Sequence, residues 1–206
     1  MTKFIMKDQF QNKTAIIILA AGNSSRLGRP KQLLEYKDST LLKNTISEAL
    51  KVPNSLTIVV MGANHNEVEK ELNTTEINIC FNPEWETGMS SSVIKGLNEL
   101  LLLNPDCDEC IFAVCDQPFV TNLVFENLIF EYYKTEKGII ASAYSETLGN
   151  PVLFHKKYFN ELLELSGQEG AKKIIKKYLE DTVSVPFVKG NIDIDTEEDY
   201  NKLISE

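Results

Sequence analysis

Two short stretches of this sequence gather residue types that could handle a polyphosphate. The first is Ala21-Gly-Asn-Ser-Ser-Arg-Leu-Gly-Arg-Pro-Lys31. Gly22 and Gly28 let a backbone turn and approach a ligand closely. Successive N–H groups of such a loop can line a nest for an anion, and Ser24 and Ser25 add hydroxyl donors. Arg26 and Lys31 can balance the charge of a triphosphate. The second stretch is Cys115-Asp-Gln-Pro118. A carboxylate at position 116 suits Mg²⁺, and Mg²⁺ bridging phosphates would neutralise charge building at a reacting phosphorus. Each stretch alone has a plain structural alternative: a solvated loop with incidental charges, and a turn that Asp116 begins ahead of Pro118. The two together favour chemistry. Gly22 to Gly28 is not a Walker loop, because Arg29-Pro30 follows it, and no G-x-G-x-x-G fingerprint occurs.

Both stretches follow strand-like runs. Ala15 to Ala20 is apolar, β-branched and unalternating, as a strand buried on both faces reads. A second such run, Cys110 to Val114, ends at Asp116. The spacing predicts a helix over 40–51, with Leu41, Leu42, Thr45, Ile46, Ala49 and Leu50 on one face. A strand over 55–61, a polar helix over 64–72 and a strand over 77–81 come next. A strong helix over 90–103 stops at Asn104-Pro105. A helix over 121–134 precedes strands over 138–143 and 151–154. Helices over 157–165 and 169–180 follow, and Ser166-x-x-Glu169 reads as a capping box for the second. Short strands over 183–187 and 192–194 lead to a last helix capped by Asp195 or Thr196. This alternation predicts an α/β fold: a Rossmann-like, three-layer α/β/α arrangement with a mostly parallel twisted sheet. Ligands of such sheets sit outside the carboxyl ends of the strands. Residues 1–14 read as a partly mobile N-terminal tail and 15–206 as one domain.

The chain has 206 residues and a formal net charge of −9. That sign is a poor match for a nucleic-acid backbone or an anionic membrane. The longest apolar runs, Ala15 to Ala21 and Leu100 to Leu103, fall far short of the ~20 residues that cross a bilayer. Met1 to Thr14 lacks the apolar stretch of a signal peptide, so a cytoplasmic protein is expected. Cys107 and Cys110 form one C-x-x-C, but no second pair or C-x-x-H accompanies it, which disfavours a four-ligand zinc site. Cys80 and Cys115 read as buried thiols. His65 and His155, the two histidines, read as surface or packing residues. Trp85 and Met89 read as apolar cover for the helix that starts near Ser90.

Leu19 to Lys31 resembles the signature L-A-A-G-x-S-x-R-x-G-x-x-K of nucleotidyltransferases, and in particular the molybdenum cofactor cytidylyltransferases and their guanylyltransferase relatives. Asn82-Pro-Glu-Trp-Glu-Thr-Gly-Met-Ser-Ser-Ser92, Asp116-Gln-Pro118, Gly149-Asn-Pro-Val-Leu-Phe154, Gly167 to Lys172 and Asp193-Ile-Asp-Thr196 resemble later motifs in the same order. The resemblance implies a nucleotide-diphospho-sugar transferase-like fold. It implies transfer of a nucleoside monophosphate to a phosphorylated acceptor, molybdopterin foremost, with release of pyrophosphate. Arg26, Lys31 and Asp116 would be catalytic. Ala20, Ala21 and Gly22 would touch base and ribose through the backbone. Ser24 would join Arg26 and Lys31 on the triphosphate, and Gly28 would shape that loop. Gly88 and Ser92 would border the base. Asp116 would bind Mg²⁺, and Asp193 or Asp195 would add a carboxylate or else cap the last helix. Gly149 and Pro151 would shape the acceptor side, and a molybdoenzyme is a candidate partner. Ala21 stands where the guanylyl branch has glycine. Its methyl group would crowd a purine, so CTP is favoured over GTP. Asn150, Gln168 and Lys172 depart from the cytidylyl pattern and leave the acceptor more open than the nucleotide. Three alternatives stand beside this reading: transfer to a sugar phosphate or phosphorylated alcohol, a non-catalytic protein that hands on the cofactor, and an oxidoreductase. The missing dinucleotide fingerprint counts against the last.

Overall fold

Strand β1 (Thr14–Ala20) opens the fold, and the computed structural model describes residues 14–72 and 75–205. In chain order there follow β2 (Glu35–Tyr36), β3 (Ser39–Thr40), α1 (Leu41–Leu50), β4 (Ser55–Met61), α2 (His65–Glu71), β5 (Asn78–Phe81) and α3 (Met89–Leu103). Next come β6 (Glu109–Val114), α4 (Asn122–Thr135), β7 (Ile139–Tyr144) and β8 (Thr147–His155). The chain continues with α5 (Phe159–Leu163), α6 (Lys172–Lys177), β9 (Thr182–Pro186) and α7 (Glu197–Ile204). The main sheet runs β5-β4-β1-β6-β8-β7-β9, and β8 alone is antiparallel to its neighbours. The reversal at β8 follows from a two-residue hairpin. Ser145 and Glu146 both hold positive φ, 45° and 59°, as a tight hairpin turn requires.

Successive residues of β1 face opposite layers, which explains why the run does not alternate. Ile17 packs with Val93, Leu97 and Leu100 of α3, and Leu162 of α5 lies in the same layer. Ile16 and Ile18 pack with Leu42 and Ile46 of α1 and Phe125 and Leu128 of α4. A third, smaller cluster joins Leu27, Leu34 and Leu41 to Ile194, Tyr200 and Leu203. It fastens the loop after β1 to α7. The order of strands reverses at β1, whose partners are β4 on one side and β6 on the other. The loops after β1 and β6 therefore open into one crevice, the usual place for a ligand in such a sheet. Among the described residues no helix is long and apolar enough to cross a membrane.

Several local expectations change. Of the tail expected at 1–14, residues 1–13 lie outside the described residues, and Thr14 opens β1, its hydroxyl donating to Glu109 Oε1 at 2.8 Å. Residues 192–194 form no strand. The Ile194 N–H donates to Asp116 O at 2.9 Å, and its buried side chain joins the cluster against α7. The helices expected at 157–165 and 169–180 are short, with single 3₁₀ turns at Lys156–Tyr158 and Leu179–Asp181. Ser166 does donate to Glu169, from N and Oγ, but these bonds close a turn, and α6 starts only at Lys172. The reason is that this segment is committed elsewhere: Gly167, at φ 59°, accepts at its carbonyl from Ser90 N and Oγ of α3. Thr196 caps α7 in a reciprocal box with Asp199, so neither Asp193 nor Asp195 serves as the cap. All four cysteines are buried, and none forms a disulfide among the described residues.

Candidate active site

The loop after β1 is shaped by Ser24 and by the 3₁₀ turn Lys31–Leu33. Ser24 sits at φ 54°; its carbonyl accepts from Leu27 N and Gly28 N at 3.0 and 3.1 Å. Its hydroxyl oxygen accepts from Lys31 N at 3.0 Å, so this side chain stitches the loop to the turn. Gly28 holds φ 74°, a conformation costly for a residue with a Cβ. Leu27 and Leu34 on either side are buried. The loop is thus anchored at both ends while Gly22 and Asn23 remain exposed.

The turn sends Lys31 to the carboxylates. Its Nζ lies 2.6 Å from Asp116 Oδ2 and 2.8 Å from Asp195 Oδ1. Arg26 reaches the other oxygen of Asp195 at 2.7 Å. Arg29 grips Glu197 with two bonds of 2.9 and 3.0 Å. The Lys31 side chain is only 14% exposed. Burial works to lower its pKa, but Asp116 and Asp195 outweigh this and raise it above the usual lysine value. Burial also works to raise the Asp195 carboxyl, yet Lys31 and Arg26 hold it below the usual value. Asp193 differs. Partial burial, then the charges of Asp116 and Asp195, push its carboxyl up. The cluster therefore holds more negative charge than Lys31 neutralises. Burial, with the charge of Asp116, pushes the neighbouring Cys115 thiol up to about 12, which disqualifies it as a nucleophile.

A cleft of about 340 Å³ opens between this loop and the N-terminus of α3. Ala20, Ala21, Gly22, Lys31, Gly88, Ser92 and Asp116 line it, so seven of the expected site residues meet there. Asp195, outside the lining, pairs with Lys31, Asp193 lies within reach of the charges of Lys31, Asp116 and Asp195, and the Arg26 side chain, 69% exposed, reaches Asp195 from solvent. On the far wall, Gly88 holds φ 124°, and a Cβ there would run into the backbone of Gly167. Its freedom is thus used first for a contact within the protein. Ser91 and Ser92 both accept from Asn82 Nδ2, at 2.8 and 3.0 Å, which fixes the start of α3. Trp85 and Met89, expected as helix cover, also line the cleft, and Met89 is 45% exposed.

Gly149 and Pro151 lie in β8, outside the cleft lining. The β7–β8 register shifts there, leaving Asn150 and Pro151 beyond the regular pairing. A Cβ on Gly149 would strike the Tyr144 hydroxyl and come within 3.1 Å of Lys172 Cε. Burial, and then the nearby Asp193, raise the Tyr144 pKa, so this edge faces the same acidic cluster. Gln32, Glu86 and Gln168 also line the cleft and were not singled out for it. Glu86 and Gln168 fall within motifs of the resemblance, Gln168 as a departure from its pattern, whereas Gln32 had only its place next to Lys31 as a signal.

The model of the MobA-like NTP transferase domain matches residues 16–183. This chain belongs to the MobA-like NTP transferase family. It is a nucleotidyltransferase with the nucleotide-diphospho-sugar transferase fold. Over 185 residues it is 25% identical to the molybdenum cofactor cytidylyltransferase of Escherichia coli K12, covering 89% of this chain and 92% of that one. Over 200 residues it is 28% identical to the nicotine blue oxidoreductase of Paenarthrobacter nicotinovorans, covering 91% and 95%. The crystal structure of Rv0371c from Mycobacterium tuberculosis H37Rv superposes with a TM-score of 0.83 at 26% identity, covering 95% of this chain and all of that one. These relatives share nearly the whole chain, so the cleft described above falls inside the common fold.

Proposed function

We propose that this protein transfers CMP from CTP to the terminal phosphate of molybdopterin and releases pyrophosphate, with residues 15–206 as the domain that does so. The observation that carries the proposal is the meeting of Lys31 with Asp116 and Asp195 at the ends of β1 and β6. A triphosphate needs cations, and a divalent ion needs oxygen donors; this point in the cleft offers both.

Asp116, with Asp195 or Asp193, would hold Mg²⁺. The donor set is all oxygen, as a hard cation requires. Burial first, and then the charges of Asp116 and Asp195, raise the Asp193 carboxyl, so these three carboxylates lie within electrostatic reach of one another. Among the described residues no group of three or more His, Cys, Asp or Glu forms a ready cation cage. Mg²⁺ usually takes one or two carboxylates and completes its shell with phosphates and water, so such a cage is not needed. The ion, when bound, would neutralise charge developing on the phosphate oxygens.

The remaining work is positioning. Lys31 and Arg26 hold the triphosphate. The backbone of Ala20 to Gly22 borders base and ribose from one wall, Gly88 and Ser92 from the other. An acceptor phosphate oxygen attacks the α-phosphorus in line, a new P–O bond forms, and the bond to pyrophosphate breaks. The acceptor is already ionised at neutral pH, so no strong base is required. This agrees with the placement of the histidines: His65 packs on Phe81 and His155 on Tyr132. The Ala21 methyl group at the base wall supports CTP over GTP. Molybdopterin is supported by the name of the E. coli relative, and a molybdoenzyme would then receive the product.

The deciding experiment measures pyrophosphate release from CTP, GTP, ATP and UTP with Mg²⁺, with and without molybdopterin. Pyridine-nucleotide oxidation is followed in parallel. Release from CTP only when molybdopterin is present is expected. Release with a sugar phosphate instead would reassign the acceptor. Redox turnover without pyrophosphate would replace the reading altogether.

A further inference from the structure

Gln32 is buried, 1% exposed, one residue beyond Lys31 in the same 3₁₀ turn. Its amide nitrogen donates to two backbone carbonyls of the loop: Ala20 O at 2.8 Å and Gly22 O at 2.9 Å. The carbonyl between them, Ala21 O, accepts from Ala63 N at 3.0 Å. Three consecutive carbonyls of the cleft wall are therefore held from outside. In a planar trans peptide the C=O and the following N–H point in opposite directions. Holding Ala20 O fixes the direction of the Ala21 N–H, and holding Gly22 O fixes that of the Asn23 N–H. We propose that Gln32 is a positioning residue for the nucleotide: its amide nitrogen orients the backbone donors of the loop.

Two further observations separate this from mere filling of space. A Cβ on Gly22 would meet no protein atom within 4 Å, so packing around that residue does not restrain the loop's most permissive position. The restraint has to come from hydrogen bonds. The other amide atom of Gln32, Oε1, is buried without a partner. Burying an unsatisfied acceptor is costly, and leucine or methionine would fill the volume without that cost. The two donors of Nε2 are what glutamine adds. A loop that samples other conformations binds with an affinity reduced by its competent fraction, so loss of these bonds acts on binding before chemistry.

This rests on the reading that the loop grips a nucleoside triphosphate, and the test keeps the two apart. Gln32→Met removes both donors with little change in size. Gln32→Glu places acceptor oxygens against two carbonyls. The KM for CTP is expected to rise about tenfold in Gln32→Met and further in Gln32→Glu, with kcat within about threefold of wild type. Hydrogen exchange of the segment 20–24, measured without nucleotide, is expected to quicken in both variants. A lowered melting temperature with KM and loop exchange unchanged would make Gln32 a core filler and overturn the proposal. If the wild-type protein releases no pyrophosphate, the transferase reading fails on its own. The exchange measurement then still decides whether Gln32 holds the loop, and unchanged exchange in Gln32→Met overturns that too.

Discussion

Lys31 Nζ lies 2.6 Å from Asp116 Oδ2, so the lysine assigned to the triphosphate and the carboxylate assigned to the metal are bonded to each other. Each neutralises the other until the charged substrate arrives. Asp116→Asn removes the negative half. Lys31 keeps Asp195 at 2.8 Å, so the cation is not stranded. The stability cost should lie near the surface-pair figure, about 1 kcal/mol, rather than the ~3–5 kcal/mol of a broken buried pair. Turnover should fall by at least ~10²-fold, the scale seen when one group stabilising transition-state charge is lost. Urea unfolding and pyrophosphate release measured on one preparation check both numbers. Full activity in this variant would end the metal assignment of Asp116.

The same pair implies competition between an internal cation and an external one. While Lys31 occupies Asp116 and Asp195, a divalent ion must displace or share it. Lys31→Met is expected to bind Mn²⁺, a spectroscopic stand-in for Mg²⁺, roughly tenfold more tightly than wild type without nucleotide. CTP turnover should fall in the same variant, because the triphosphate loses a cation. Opposite signs on metal affinity and turnover would not arise from general damage to the site. Electron paramagnetic resonance of free Mn²⁺ reads the first, and equal affinities in the two proteins would count against the competition.

Gly22 and Gly88 face each other across the cleft and should fail differently. A Cβ on Gly22 meets open space, so Gly22→Ala should leave stability within ~0.5 kcal/mol of wild type while raising the KM for CTP. Gly88 holds φ 124° against the backbone of Gly167, so Gly88→Ala should lose roughly 2 kcal/mol whether or not nucleotide is bound. Denaturation curves and steady-state kinetics of the two variants make the comparison. An equal loss of stability in both would mean that Gly22 is also a packing residue.

How much of this was legible beforehand depended on whether a residue's role is local. The doubly buried strands were readable because Ile16, Ile17 and Ile18 must all be apolar when both sheet faces are covered. The loop glycines and Lys31 were readable because type and position coincide. The sequence misplaced the helix at 169–180 because the capping pattern is local, while the competing bonds from Ser90 to Gly167 join residues 77 apart. It also hid the service of Gln32, which depends on a loop folding back upon its own turn. Asp195 could be read as a cap or as a site carboxylate. Thr196 takes the cap, and Arg26 and Lys31 arrive at Asp195 from 169 and 164 residues away, which no local pattern announces.

Asp195 also gives the fold a pH dependence of known sign. Burial would raise its carboxyl, but Lys31 and Arg26 hold it below the ordinary 3.8. A carboxylate depressed on folding contributes stability above its unfolded value and loses it as the pH falls through the folded value. Asp195→Asn should therefore cost about 1 kcal/mol near pH 6, with the difference from wild type shrinking as the pH falls through and below the ordinary carboxylate range. Comparing the two proteins matters, because the raised Asp193 carboxyl acts in the other direction: its ionisation opposes folding, and its protonation relieves that opposition on the same descent. Because the Asp195 charge itself helps to raise the Asp193 carboxyl, both curves are taken in an Asp193→Asn background, which removes that coupling. Urea midpoints at several pH values supply both curves. A gap that widened toward low pH would show that Lys31 and Arg26 do not stabilise this carboxylate in solution.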